Sequence, residues 1–374
     1  MLVRDKIVQD EAYVRSAVIT EGAQKIGYVY LPEFYADFQQ MDGVRSGIDV
    51  AKEVNKLKSE GVNGIVIDLR NNGGGALYDV IQIAGLFIDE GPVVQVRDRQ
   101  GKPQIMKDRD NGSLTYDGPL VVMVNEMSAS ASEILAAAMQ DYGRGIIMGT
   151  PTYGKGTVQR TLGLDPESNF TNTNSDLGSL KITLQKFYRV NGGSTQQKGV
   201  VPDVIVPDYL DRLKIREKDN PYSLQYDEIS KATYTPWKTS YNREAVKQMA
   251  NNRIAADTTF NKIREASIAI EKQNDKQYSL KIEEYRKQQK TLRDAMKSVE
   301  AVSKLKTPIP ISFMKQDEVK YISIDKDKTE RYKQWLTAVS KDVYVNQAVK
   351  VIQDMVSQSN VAKTETKPAP VRSF

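Results

Sequence analysis

The sequence predicts an α/β fold with a mixed, largely parallel sheet, followed by a mainly α-helical carboxy-terminal domain. Two observations carry this expectation. Over residues 1–208, short Val- and Ile-rich runs alternate with helix-length patterns, as strands joined by helical crossovers do. From about residue 209 glycine nearly vanishes and Lys, Gln and Glu take over. The expected division is a core over 1–208, a helical domain over 209–359 and a disordered tail over 360–374. Thr364, Thr366, Pro368 and Pro370 stand among Lys and Ala in that tail.

Taken in order, Met1-Leu2-Val3-Arg4-Asp5 reads as the middle of a strand and not as a signal peptide. Ile26–Leu31 and Gly64–Leu69 read as strands, with a helical pattern over 44–59 between them. Pro92–Val96, Leu120–Val124 and Ile146–Met148 are further strands, and 77–88 and 131–141 further helices. Ile182, Leu184, Lys186, Tyr188 and Val190 share one face of a late strand, and Gly199–Pro207 closes this half. Residues 256–304 hold long helical stretches such as Leu280–Lys287. Their Glu and Lys side chains read as solvated helix faces.

Composition removes whole classes of chemistry. The 374 residues include no cysteine and no histidine. A Ser-His-Asp triad, a cysteine nucleophile, a thiolate zinc site and a disulfide are therefore all excluded. A metal site would have to be all oxygen, and neither a metal nor a cofactor is expected. Acid–base chemistry near neutral pH falls to a shifted Lys, Asp, Glu or Tyr. The net charge of +5 is modest and spread widely, which does not suggest nucleic acid as a partner. No apolar run approaches the length of a transmembrane helix.

Three motifs carry chemistry. Asp68-Leu69-Arg70-Asn71-Asn72-Gly73-Gly74-Gly75 directly follows a buried-type strand. Its glycines let backbone N–H groups approach a ligand, as in an oxyanion hole or a phosphate cradle; the run also suits a tight strand-to-helix turn. It lacks the dinucleotide-binding glycine spacing. Ser128-Ala129-Ser130-Ala131-Ser132-Glu133 lies between a strand and an alanine-rich helix. Ser130-x-x-Glu133 is a capping box, yet a serine there is also exposed beside helix N–H groups that can stabilise an oxyanion. Gly149-Thr150-Pro151-Thr152-Tyr153-Gly154-Lys155-Gly156-Thr157 nearly spells a phosphate-binding loop. Gly156 stands where that loop needs Ser or Thr.

Together the motifs are more specific than apart. A serine nucleophile without histidine needs another base, and lysine is the known substitute. At an ordinary pKa a lysine is neutral in only about one molecule in 2,500 at pH 7. It must therefore be desolvated, or sit near positive charge, and lack a carboxylate partner. Gln159 follows Lys155 by four residues, and on a helical turn it would face it.

With these residues in view, the chain resembles the carboxy-terminal processing peptidases, and among them the bacterial tail-specific proteases. The resemblance includes the three motifs, Ala138–Arg144, Gln185–Gln196 and Lys198-Gly199-Val200-x-Pro202-Asp203, and extends into the helical region after 209. It implies a crotonase-like α/β peptidase core with Ser130 as nucleophile, Lys155 as general base and Gln159 orienting the lysine. It implies an oxyanion hole from the Ala131 N–H and a glycine N–H, Gly75 or Gly74. The partners it implies are protein or peptide substrates with apolar carboxy-termini and an adaptor protein, in the periplasm or cell envelope. The family carries a PDZ domain before this core. The chain is expected to be a fragment lacking that domain and the amino-terminal helical one. Two other readings stand beside the peptidase: an inert protein-binding scaffold, and a crotonase-like acyl-transfer enzyme.

Overall fold

The computed structural model describes residues 10–37, 40, 43–108, 114–165, 177–274, 278–318 and 326–365. The strand expected at the very start of the chain lies outside them. Eleven strands form two sheets among the described residues. The larger contains β1 (Arg15–Glu21), β2 (Gln24–Tyr30), β3 (Gly64–Asp68), β6 (Leu120–Val124), β7 (Ile146–Gly149), β10 (Val204–Ile205) and β11 (Ile311–Ser312). Its order is β10-β7-β6-β3-β2-β1-β11. From β10 to β2 every pair is parallel, and β1 and β11 join antiparallel. The mixed, largely parallel sheet of the sequence reading is present.

Its central strands explain the continuous apolar runs. Gly64-Ile65-Val66-Ile67-Asp68 and Leu120-Val121-Val122-Met123-Val124 are buried at every position, because helices cover both faces. Ile65, Ile67, Leu120, Val122 and Val124 join one apolar cluster with residues of α1 (Ser46–Ser59), α2 (Leu77–Gly85) and α3 (Ala131–Asp141). The intervening Val66, Val121 and Met123 point the other way. They meet Val246, Ala250 and Ile254 of α4 (Arg243–Ala256) and Val345, Val349, Ile352 and Met355 of the last helix. Each such side chain contributes about 1.5–3 kcal/mol on burial. The last helix approaches so closely that a Cβ on Gly64 would stand 2.3 Å from Ile352 Cγ2.

The carboxy-terminal region is mainly helical, as expected. After α4 come α5 (Thr258–Asn274), α6 (Ile282–Val302), α7 (Lys326–Ser340) and α8 (Val343–Glu365). The last helix runs a few residues into the tail expected to be disordered, and the remainder of that tail lies outside the described residues.

One strand of the alternating series joins a different sheet. β4 (Pro92–Asp98) pairs antiparallel with β5 (Gln104–Lys107) and β9 (Ser179–Tyr188), and β9 pairs with β8 (Thr157–Gly163). The order of this second sheet is β5-β4-β9-β8. A run such as Pro92–Val96, buried throughout, looks the same in either sheet, so alternation alone does not separate them.

Candidate active site

The three motifs follow β3, β6 and β7, which are neighbours in the sheet and parallel. Their connections therefore emerge at one edge, outside the carboxyl ends of the strands, where open α/β sheets bind ligands. Hydrogen bonds then fix each loop to the next. Ala129 N–H and the Ser132 hydroxyl both donate to Asn72 O, at 3.0 and 2.8 Å. The Ser128 hydroxyl donates to Leu69 O at 2.8 Å, and Asn71 and Asn125 bond each other twice at 2.9 Å. Tyr153 N–H donates to Ser128 O at 3.0 Å, bringing in the third loop.

Ser128 and Ser132 are fully buried, whereas Ser130 between them is half-exposed. Ser130 caps α3 with φ 56° and ψ −112°, a conformation that costs a non-glycine residue energy and clusters at functional sites. Gly74 packs onto this turn: a Cβ there would lie 2.7 Å from Ser130 Cβ and 3.1 Å from Ala131 N. Both Gly74 and Gly75 have positive φ, 109° and 139°. Their amides differ. Gly74 N–H donates to Asn72 Oδ1 at 2.9 Å. The N–H groups of Gly75 and Ala131 have no hydrogen-bond partner among the described residues.

The carboxylate of Glu133 joins the serine turn to the lysine loop. Its Oε2 accepts Ser130 N–H at 2.8 Å and Lys155 N–H at 2.9 Å. Its Oε1 accepts Gly154 N–H at 2.7 Å and the Thr152 hydroxyl at 2.6 Å. Glu133 is fully buried, and burial pushes its pKa up to about 7 against the pull of those four donors. In the sequence only the capping box is visible here. The links to residues 152–155 are tertiary and leave no local signal.

Lys155 is half-buried. Burial lowers its pKa, Lys181 lowers it further, and Glu217 and Glu133 act in the opposite sense. Among the described residues no carboxylate pairs with its amine, and no hydrogen bond joins that amine to the Ser130 hydroxyl. Gln159 is not on a helical turn. It lies on β8 and is exposed, with its amide reaching the Thr183 hydroxyl at 3.4 Å. Thr157-Val158-Gln159 extend along the edge of the second sheet, so Gln159 has no helical register with Lys155, and no hydrogen bond joins their side chains among the described residues.

A glycine-rich turn, a strained serine at a helix start and a half-buried lysine thus gather at one edge of a parallel α/β sheet. Comparison with known proteins adds to this geometry. The family model described as "Peptidase family S41" matches residues 25–206. That described as "C-terminal domain of tail specific protease" matches 210–357. Residues 25–206 are thus similar to peptidase family S41, and the curated relatives they match are named tail-specific and carboxyl-terminal-processing proteases.

The tail-specific protease of Haemophilus influenzae is 42% identical over 62% of this chain and 32% of its own length. The carboxyl-terminal-processing protease of a Synechocystis species is 34% identical over 54% of this chain and 42% of its own. The chain thus spans less than half the length of these curated relatives. Among solved structures, a photosystem II D1 C-terminal processing protease is 30% identical over 54% of this chain and 50% of that one, with a TM-score of 0.43.

Proposed function

We propose that this chain is the catalytic part of a serine endopeptidase that uses a Ser130/Lys155 dyad on protein substrates bearing apolar carboxy-termini. The observation that carries the reading is the joint attachment of Ser130 and Lys155 to one buried carboxylate, Glu133. Ser128 and Ser132 have their hydroxyls committed to backbone carbonyls, which leaves Ser130 to react.

In this mechanism the neutral Lys155 amine takes the Ser130 proton as Oγ attacks the scissile carbonyl carbon. The carbonyl oxygen becomes an oxyanion held by Ala131 N–H and Gly75 N–H. We assign Gly75 over Gly74 because the Gly74 amide is already spent on Asn72. The Lys155 ammonium returns the proton to the leaving amine, and water then hydrolyses the acyl ester of Ser130. Gln159 enters this reading only through the family resemblance, and orienting Lys155 would require it to leave Thr183. The same resemblance supports a periplasmic or cell-envelope setting and an adaptor protein as partner.

The missing hydrogen bond between Ser130 and Lys155 favours a second reading, an inert scaffold that only binds protein partners. A serine-directed fluorophosphonate or boronate probe separates the two. The peptidase reading expects labelling that disappears in Ser130→Ala. Labelling at another residue, or labelling and cleavage both absent from the full-length protein, would reject it.

A further inference from the structure

The loop that carries Lys155 is held from two sides. Glu133 grips the amides of Gly154 and Lys155. The opposite grip comes from Arg216 and Glu217, within the region that matches the C-terminal domain of tail specific protease. Arg216, buried to 8% exposure, donates from Nε and Nη2 to Pro151 O at 3.3 and 3.0 Å. The same guanidinium is braced by Asp211, through its carbonyl at 2.6 Å and its Oδ1 at 2.7 Å. Glu217 N–H donates to Tyr153 O at 3.1 Å. Its Oε1 accepts Gln196 Nε2 at 2.9 Å, and Gln196 Oε1 in turn accepts Gly156 N–H at 2.8 Å. Two consecutive residues thus hold the backbone at 151 and 153 directly, and Glu217 reaches the far side of Lys155, at 156, through Gln196.

We propose that Arg216 and Glu217 are positioning residues for Lys155, so that the carboxy-terminal region sets where the base of the peptidase stands. The inference rests on the Ser130/Lys155 reading above. A guanidinium suits the task because its planar fork reaches Pro151 and Asp211 together, which an ammonium on one stem cannot do. Simple docking of the carboxy-terminal region would need contact with the core somewhere. It would not require contact on both flanks of Lys155. Glu217 also acts on the amine electrostatically. The charged groups acting on Lys155 are Glu217 from this segment, Glu133 from α3 and Lys181 from β9.

The test uses the full chain, with Glu217→Gln and Arg216→Lys. Trace acetylation with acetic anhydride across pH, read by mass spectrometry against the exposed Lys262, reports the titration of Lys155 whether or not substrate is turned over. Glu217→Gln keeps an acceptor for Gln196 and its own N–H, and removes one charge. Its Lys155 midpoint should fall by about half a pH unit, giving about threefold more neutral amine at a fixed pH below the midpoint. Arg216→Lys should lower kcat for an unfolded reporter about tenfold, with KM within about twofold, because loosening the loop misplaces the base. A purely structural role would change the melting temperature and leave the Lys155 titration alone.

If both variants fold and neither the titration nor kcat moves, the inference is overturned. If Arg216→Lys does not fold, Gln196→Ala, which cuts the link from Glu217 to Gly156, takes its place with the same kcat and KM readings. A Lys155→Ala control that still cleaves would overturn the dyad itself, and the acetylation result would still judge the positioning.

Discussion

Glu133 Oε2 accepts the backbone N–H of Lys155 at 2.9 Å while also accepting that of Ser130 at 2.8 Å. One buried oxygen thus fixes the serine turn and the lysine loop, residues 25 positions apart in the sequence. It holds their backbones and leaves both side chains free to move. That division fits a site in which the serine and lysine meet only when substrate is bound, since catalytic hydrogen bonds often tighten at that stage.

Glu133→Gln should therefore damage the site more than its near-identical shape suggests. The carboxylate presents acceptors to four donors on two oxygens. An amide replaces one acceptor by an NH2 group that faces donors. At least one buried N–H loses its partner, which costs about 1–3 kcal/mol. Cleavage should fall by about 100-fold, and the urea midpoint should drop. A variant with wild-type activity and midpoint would show that the two loops hold together without this carboxylate.

Ser130→Ala should abolish cleavage, by about 10⁴-fold or more, and cost no more than about 0.5–2 kcal/mol of stability as a lost cap. Ser128→Ala and Ser132→Ala should behave in the reverse way. Each removes a hydroxyl bonded to a buried carbonyl, so stability falls by about 1–2 kcal/mol and the nucleophile survives. Kinetics and thermal unfolding of the three variants, measured side by side, check the assignment. Activity retained in Ser130→Ala would overturn it.

The sheet and the three site loops were legible because their signals are local. Val/Ile runs gave β2, β3, β6 and β7, and parallel neighbours necessarily deliver their loops to one edge. The serine turn was legible as a capping box. What stayed hidden depends on contacts between distant segments. Spacing gave Gln159 a helical register with Lys155, but Gly156 leads straight into β8, whose pairing with β9 imposes a strand. Glu133 reads in the sequence only as a cap, and nothing local marks Arg216 or Glu217, since the loop they hold lies far from them in sequence.

Lys155→Arg should be as inactive as Lys155→Ala. A guanidinium keeps the positive charge but does not give up its proton at any workable pH. A role limited to attracting an anion would survive the exchange, and a role as base would not. In the wild type, burial and then Lys181 hold the amine below the ordinary lysine pKa. The neutral, active form is therefore the high-pH form, and kcat/KM should rise with pH along a limb placed below the usual lysine range. Rates of reporter cleavage from pH 6 to 10 check this. Appreciable activity in the Arg variant would remove Lys155 as the base.

A second buried acid, Glu126, predicts a stability change separable from catalysis. Its Oε2 accepts the Thr150 hydroxyl at 2.8 Å, while its Oε1 has no hydrogen-bond partner among the described residues. Burial, reinforced by the nearby Asp208, pushes its pKa from 4.5 up to about 7, against the pull of its own backbone N–H, Thr150 and Arg216. A raised carboxylate pKa means that the folded state holds the proton more tightly than the unfolded chain. The stability from this group is then fully present below about pH 4.5 and is lost as pH rises through about 7. The full loss is on the order of 3 kcal/mol. Glu126→Gln cannot ionise; its amide oxygen can still accept from Thr150, and its NH2 can face Asp208. The variant should match the wild type near pH 4.5 and exceed it by up to that amount at pH 8. Urea unfolding at the two pH values measures the difference. Parallel loss of stability in both proteins would show that Glu126 is already ionised in the folded state at low pH.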